Sequence, residues 1–336
     1  MKLIVQIPCY NEEKTLPQVI TDIPRKIEGI DEVQILIIND GSTDNTVEVA
    51  KEMGVDYILE NPRKLGLSKS FVKGLEACLY FGADIIVNTD GDNQYRGEDI
   101  KTLVKILLER NSDMVIGCRD IVGHTEFSLV KKFFQGLGSK VVSRLGSLKI
   151  PDVTSGFRSY SRNAAMKTTV INDFSYTAET LIQAGCLGMK VDWVPIQVNK
   201  KTRESRLFHS TFHYMQTQSF VILKSYLLYR PIHFFFTIGG LSLLVALASG
   251  VRFAYYVWFI RPEEQVFKMG SGILLQFSLI LAVVCFLGGF LGTVLSGLRT
   301  LIEEMRFDHK RQILSEERGA SYLETHVWKA GGCDDL

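Results

Sequence analysis

Two periods of hydrophobic spacing divide the first two thirds of the chain. Short β-rich runs occur at Leu3–Pro8, Gln34–Asn39, Tyr57–Glu60, Asp84–Thr89 and Met114–Gly117. Between them lie stretches with helical amphipathic spacing, near Glu12–Glu28, Thr43–Met53, Leu67–Phe81 and Glu98–Arg110. Strands alternating with helices at this interval predict an α/β fold built on a parallel sheet, with ligands held where strands run out into loops. From Ser128 to Asn199 the pattern predicts a helix, a turn at Ser155-Gly156, a second helix around Thr177–Cys186 and a strand at Val191–Val198.

The pattern then changes character. A basic segment, Lys200–Arg206, leads into Leu207–Arg230, which has the spacing of an amphipathic helix lying on a membrane surface. Phe234–Val251 carries no charge and extends past Arg252 toward Ile260, while Gly270–Leu298 is wholly uncharged. Each meets the roughly 20-residue requirement for crossing a bilayer. The expected organisation is a catalytic domain over 1–206, an interfacial helix over 207–230, two spans over 231–300 and a tail over 301–336. Lys224, Arg230, Arg299, Arg306, Lys310 and Arg311 flank the pair of spans, while the connecting loop offsets Arg261 and Lys268 with Glu263 and Glu264. The positive-inside bias therefore predicts a multi-pass cell-membrane protein with its catalytic domain in the cytoplasm. Gly239-Gly240, Gly288-Gly289 and Gly292 would permit close helix contact, including homo-oligomerisation.

Composition narrows the function classes. With 38 basic and 37 acidic residues the formal charge is +1, so no global field favours nucleic acid. The six cysteines are scattered, without CxxC or metal-ligand spacing, as expected of free thiols in a reducing compartment. The apolar run at Met1–Pro8 is too short for a signal peptide and suits a first buried strand.

The chemistry-bearing residues cluster at predicted strand ends. Asp90-Gly91-Asp92 follows an apolar strand, and Gln94 lies two residues on. Carboxylates so spaced can share a hard cation with a diphosphate, although aspartates are common in turns as well. Asn39-Asp40-Gly41-Ser42 ends the second strand, and Pro8-Cys9-Tyr10-Asn11-Glu12 ends the first. Asp40 could accept hydrogen bonds from a base or ribose and Glu12 could hold ribose hydroxyls, while Thr43 or Asp44 could serve as a helix N-cap.

The combination IPCYNEE, INDGSTDNT, TDGDNQY and DVTSGFR resembles family 2 glycosyltransferases of the GT-A fold, within them the polyprenyl-phosphate group. The resemblance covers Met1 to about Leu207, and the paired apolar spans match that group in kind. It implies a donor pocket formed by Pro8, Tyr10, Glu12 and Asp40, with Arg119 helping to bind phosphate. It also implies a Mg²⁺ or Mn²⁺ site at Asp90, Asp92 and Gln94, the Asp152 turn beside the reacting sugar and Glu179 on a helix facing the site, with Asp92, Asp152 and Glu179 as catalytic residues. The acceptor phosphate would fall to Lys131, Lys132, Lys200, Arg203, Ser205 and Arg206. Here the sequence departs from the group's pattern: Arg203 stands at the glycine of R-x-x-G-x-S-K, and Lys131 at an arginine, which removes bidentate geometry.

A phosphate acceptor carries charge near neutrality, since its second pKa is about 6, and needs little general-base help. The expected reaction is inverting transfer of one sugar from a UDP- or GDP-sugar to a polyprenyl phosphate. Asp152 would orient a sugar hydroxyl or act as base. No Q-x-x-R-W motif precedes the spans, so single transfer is favoured over polymer extension. Another membrane acceptor, such as a diacylglycerol or lipid-linked saccharide, and a non-catalytic membrane scaffold are the alternatives.

Overall fold

The computed structural model describes residues 1–119, 148–172, 175–199, 226–259, 265–315 and 327–329, together with positions 217, 220, 223 and 224. The chain forms two compact units, Met1–Ile222 with Met305–Leu336, and Leu223–Glu304.

Among the described residues the first unit is built on an eight-stranded sheet in the order β7-β5-β6-β4-β1-β2-β3-β8. Strands β1 (Lys2–Cys9), β2 (Glu32–Asn39), β3 (Tyr57–Glu60), β4 (Ile85–Asn88) and β5 (Met114–Arg119) match the predicted runs closely. β1 pairs in parallel with both β2 and β4, and β7 (Val191–Ile196) pairs in parallel with β5. Helices α2 (Thr46–Glu52), α3 (Leu67–Tyr80) and α4 (Asp99–Glu109) connect these strands. Leu3, Val5, Ile7, Ile35 and Ile37 are fully buried, as the central strands of a sheet covered on both faces should be.

Three features depart from the expected pattern. The helix expected over Glu12–Glu28 reduces to α1 (Leu16–Asp22), because Ile23 turns to an extended conformation with ψ 120°. Pro24 follows, and a proline pushes the residue before it out of the helical region. The sheet is mixed rather than parallel: β6 (Arg158–Ser161) inserts antiparallel between β4 and β5. Helices α5 (Arg162–Lys167) and α6 (Thr177–Cys186) follow it.

The third departure lies in the tail, where β8 (Val327–Lys329) adds an antiparallel strand to the edge of β3. Trp328 packs against the hydrophobic core, and the ammonium of Lys329 lies 5.6 Å from the ring centroid of Phe81. Removing residues 327–336 would expose the β3 edge and the surface under Trp328. A loss of about 1–2 kcal/mol is expected to lower Tm by roughly 3–6 °C in a domain of this size. An unchanged Tm for the truncated chain in a thermal unfolding scan would show that β8 adds nothing.

In the second unit, α7 (Pro231–Phe259) and α8 (Gln265–Ser315) are both long and apolar enough to cross a membrane. α8 continues through Met305 into the first unit, where Lys310 pairs with Glu76 at 3.0 Å. Several glycines of the spans face the partner helix of the hairpin, whereas Gly240 opens onto empty space. A Cβ on Gly239 would lie 3.1 Å from Phe286, one on Gly289 2.9 Å from Phe236, and one on Gly292 2.6 Å from Pro231. Close approach of α7 to α8 is therefore what these positions secure, and homo-oligomerisation remains an expectation. Of the 207–230 helix, the described positions are helical up to Tyr229, and the rest lies outside the described residues.

Candidate active site

Strands β1, β2, β4 and β5 run in one direction, so their C-terminal ends meet along one edge of the sheet. The first two loops there are tied to each other. Asn11, with φ 57°, donates its backbone N–H to Ser42 Oγ at 2.9 Å and accepts from Thr43 N at 2.8 Å through its side chain. The backbone N–H of Glu12 donates to Thr46 Oγ1 at 2.9 Å. Glu12 is buried, and its carboxylate accepts from Thr15 Oγ1 at 2.9 Å. Tyr10 presents its ring to the Lys64 ammonium, 3.7 Å from the centroid, and Pro8 is buried in β1 opposite Ile38.

Asp40 is more committed than its sequence suggests. One carboxylate oxygen accepts from Leu65 N at 2.8 Å, Ser70 Oγ at 2.9 Å and Asn61 Nδ2 at 3.1 Å, and the other from Gly66 N at 2.9 Å. A carboxylate offers about four acceptor sites, so little capacity is left for a base or ribose. Gly41 beneath it is obligatory: its φ is 70°, and a Cβ would lie 2.7 Å from the backbone of Arg63 and Lys64. Asp40 thus shapes the pocket by fixing the 61–66 loop.

Asp90, Asp92 and Gln94 share one loop after β4. Asp92 accepts the Gln94 backbone N–H at 3.1 Å, and Asn93 adopts φ 58°. The loop is anchored by the segment that follows β7, where Asn199 N donates to Gln94 O at 2.9 Å and Asn199 Nδ2 to Asn93 O at 3.1 Å. Burial, and then the neighbouring Asp92 charge, push the Asp90 carboxyl up to about 7. A Cβ on Gly91 would lie 2.9 Å from Cys9 Sγ, so close packing on β1 accounts for that glycine.

The Asp152–Phe157 turn closes the site beside this loop. Asp152 is fully buried and meets Arg119 in two parallel contacts, Nε to Oδ2 at 2.7 Å and Nη2 to Oδ1 at 3.1 Å. Thr154 adds its backbone N–H at 3.1 Å and its hydroxyl at 2.8 Å. Burial alone would raise the Asp152 carboxyl, but the charge and hydrogen bonds of Arg119 outweigh it and hold the group below the usual carboxylate range. These contacts commit the Arg119 guanidinium to a protein carboxylate and to the Thr154 hydroxyl. Glu179, in the first turn of α6, accepts the backbone N–H groups of Ile171 and Asn172, each at 3.0 Å. It fixes the segment entering α6. Lys131, Lys132, Lys200, Arg203, Ser205 and Arg206 lie outside the described residues.

The sequence reading missed a buried polar network behind these loops. Asn88 donates to Gly156 O and to Tyr176 Oη, each at 2.9 Å, and accepts from Gln6 Nε2 at 2.9 Å. Arg158 is fully buried and donates to Ser155 O at 2.8 Å, Val153 O at 3.0 Å, Thr177 O at 2.9 Å and Thr180 Oγ1 at 2.8 Å. The available signal was the arginine two residues after Gly156, in a segment otherwise too polar to be read as a buried strand.

This fold and site define a glycosyltransferase. Residues 4–169 match the model of Glycosyl transferase family 2. An uncharacterized protein of Methanocaldococcus jannaschii is 30% identical over 203 residues, covering 58% of this chain and 81% of that protein. A dolichyl-phosphate hexose transferase of Haloferax volcanii is 28% identical over 205 residues, covering 61% of this chain and 86% of that enzyme. The fold resembles that of glucosyl-3-phosphoglycerate synthase from Mycobacterium tuberculosis, crystallised with Mn²⁺, UDP-glucose and phosphoglyceric acid. The TM-score is 0.54 at 21% identity, over 67% of this chain and 79% of that one. The chain belongs to glycosyl transferase family 2, with a GT-A-like catalytic domain followed by two long apolar helices.

Two carboxylates on one strand-end loop, Asp90 and Asp92, suit a divalent cation shared with substrate phosphates. No group of three or more histidine, cysteine or acidic side chains suited to a metal occurs among the described residues. Mg²⁺ is commonly held by one or two carboxylates plus substrate phosphates rather than by an all-protein cage. Asp90 and Asp92 would supply that pair, and burial together with the Asp92 charge disfavours ionisation of the Asp90 carboxyl, a penalty that a bound cation would relieve.

Proposed function

We propose that this protein transfers one sugar, with inversion, from a UDP- or GDP-sugar to a polyprenyl phosphate at the cytoplasmic membrane face, with a divalent metal bound at Asp90 and Asp92. The observation that carries this reading is the union of two features in one chain: a family 2 site with a strand-end carboxylate pair, and two adjoining helices long and apolar enough to cross a bilayer. The relative named as a dolichyl-phosphate hexose transferase supports the same acceptor class. A metal so placed would neutralise the diphosphate leaving group. The chain's own residues bind and orient: the loops of Tyr10, Glu12 and Asp40 form the nucleotide side, and Asp152 with Arg119 fixes the wall beside the sugar. Lys131, Lys132 and Lys200–Arg206 are assigned the acceptor phosphate on sequence alone.

Because the phosphate oxygen is already charged near neutrality, no side chain need abstract a proton from it. That agrees with a site whose buried carboxylate, Asp152, is held ionised by an arginine. The test is transfer of radiolabelled sugar from a panel of UDP- and GDP-sugars to polyprenyl phosphate in detergent, with Mg²⁺, Mn²⁺ or EDTA. Metal-dependent label in the lipid phase is the expected result. Label that reaches only a diacylglycerol or a lipid-linked saccharide would overturn the phosphate acceptor.

A further inference from the structure

The loop bearing the carboxylate pair does not end at Gln94. Tyr95 follows it, 5% exposed, with its ring stacked on Phe157 at a centroid distance of 5.1 Å. Its hydroxyl accepts the backbone N–H of Gly156 at 3.2 Å. The other side of that residue is held too, since Gly156 O accepts from Asn88 Nδ2 at 2.9 Å. Gly156 in turn lies directly against Asp90: a Cβ there would stand 3.3 and 3.5 Å from the two Asp90 carboxylate oxygens, and 2.8 Å from Tyr176 Oη. The Tyr95 backbone is immobilised from outside the site by its antiparallel bridge to Val198. One residue therefore links three elements: the carboxylate loop, the Asp152–Phe157 turn and the continuation of β7.

We infer that Tyr95 is a positioning residue for glycosyl transfer, whose hydroxyl locks the Ser155–Gly156 peptide over the Asp90 carboxylate while its ring keeps the turn in register. It touches no substrate in this assignment and acts through Gly156. A buried backbone N–H that loses its acceptor must find another by moving, and the nearest consequence of movement here is displacement of the surface packed on Asp90. Small errors in placement at a reacting centre are felt in turnover more than in ground-state affinity. The inference rests on the glycosyltransferase reading and is independent of which acceptor is used.

The experiment compares wild type and Tyr95→Phe in the full chain, in detergent. Two activities are followed: sugar transfer to polyprenyl phosphate, and acceptor-free release of nucleotide from the donor. Tyr95→Phe preserves the stack and removes only the hydroxyl. It is expected to lower kcat about tenfold, the equivalent of one misplaced hydrogen bond, with donor KM and nucleotide Kd changed by less than about twofold. Full kcat in Tyr95→Phe would overturn the assignment. So would a loss that appears wholly in donor KM, or one that vanishes when each protein is assayed equally far below its own Tm, since either would mark a structural role. If wild type transfers nothing to polyprenyl phosphate yet releases nucleotide, the acceptor proposal fails and the Tyr95 comparison is still decided by the release rates.

Discussion

Asp152→Ala is expected to lower the Tm of the chain by about 10 °C and to abolish transfer, whereas Asp152→Ala combined with Arg119→Met restores much of the stability and none of the activity. The side chains of the pair are 9% and 0% exposed, so solvent screening does little to weaken their interaction. Removing the carboxylate alone leaves a buried guanidinium without its charge partner, a change that typically costs about 3–5 kcal/mol. In a domain of this size each kcal/mol is worth about 2–4 °C. Removing both charges and filling the space with an apolar side chain eliminates that penalty, so the two changes should be strongly non-additive. Thermal unfolding of the four proteins of the cycle measures this directly. Additive losses would mean that the pair is not coupled in solution.

The same pair fixes a pH dependence. The Asp152 carboxyl is depressed in the fold, so the unfolded chain binds more protons than the folded one as acid is added. Its contribution is fully present above the unfolded carboxylate value of about 4 and is lost as pH falls through the lower folded value. Wild-type Tm should therefore drop more steeply below about pH 4 than that of the double variant. An ionised, fully hydrogen-bonded carboxylate of this kind is also a poor proton acceptor near neutrality. Turnover in Asp152→Asn will accordingly report geometry, because asparagine can keep some of the Thr154 contacts but cannot balance Arg119.

Much of the catalytic edge was legible because its signals are local. A short apolar run followed by Asp90-Gly91-Asp92, or by Asn39-Asp40-Gly41, encodes both a strand and the loop that ends it, and the boundaries found at Tyr57–Glu60 and Thr177–Cys186 are those the spacing predicts. What escaped depends on partners distant in sequence. Nothing near Asp40 announces that Leu65, Gly66 and Ser70 will take up its carboxylate, nor does anything near Glu179 announce the amides of Ile171 and Asn172. β6 was invisible for a related reason. Arg158 and Ser159 are polar yet fully buried, and a hydrophobicity pattern reads such residues as loop. Arg158 tolerates burial because its guanidinium finds carbonyls at Val153, Ser155 and Thr177, whereas the buried Ser159 hydroxyl has no hydrogen-bond partner among the described residues. In the tail, β8 is three residues long, and pairing with β3, some 270 residues upstream, supplies most of its definition. The spans were the easiest reading, since length and lack of charge suffice, but the role of their glycines needed the facing residues Phe286, Phe236 and Pro231.

Loss of the metal-side carboxylate should give the largest functional effect: Asp92→Ala is expected to reduce transfer by about 10²–10³-fold while leaving the fold intact. Removal of one preorganised group that stabilises developing charge typically has that consequence. The asymmetry between the two aspartates explains the choice of position. Asp90 lies under Gly156 and beside buried Tyr176, so its replacement disturbs packing as well as charge. Asp92, half-buried like Asp90, accepts the Gln94 N–H within its own loop, so its loss disturbs packing on the Asp152–Phe157 turn less. EDTA should reproduce the loss in wild type, Mg²⁺ or Mn²⁺ should restore it, and neither treatment should change the residual rate of Asp92→Ala. The measurement is initial rate against free metal concentration for both proteins, alongside their Tm values. A variant that saturates with metal at the wild-type concentration and reaches the wild-type rate would remove Asp92 from the metal site.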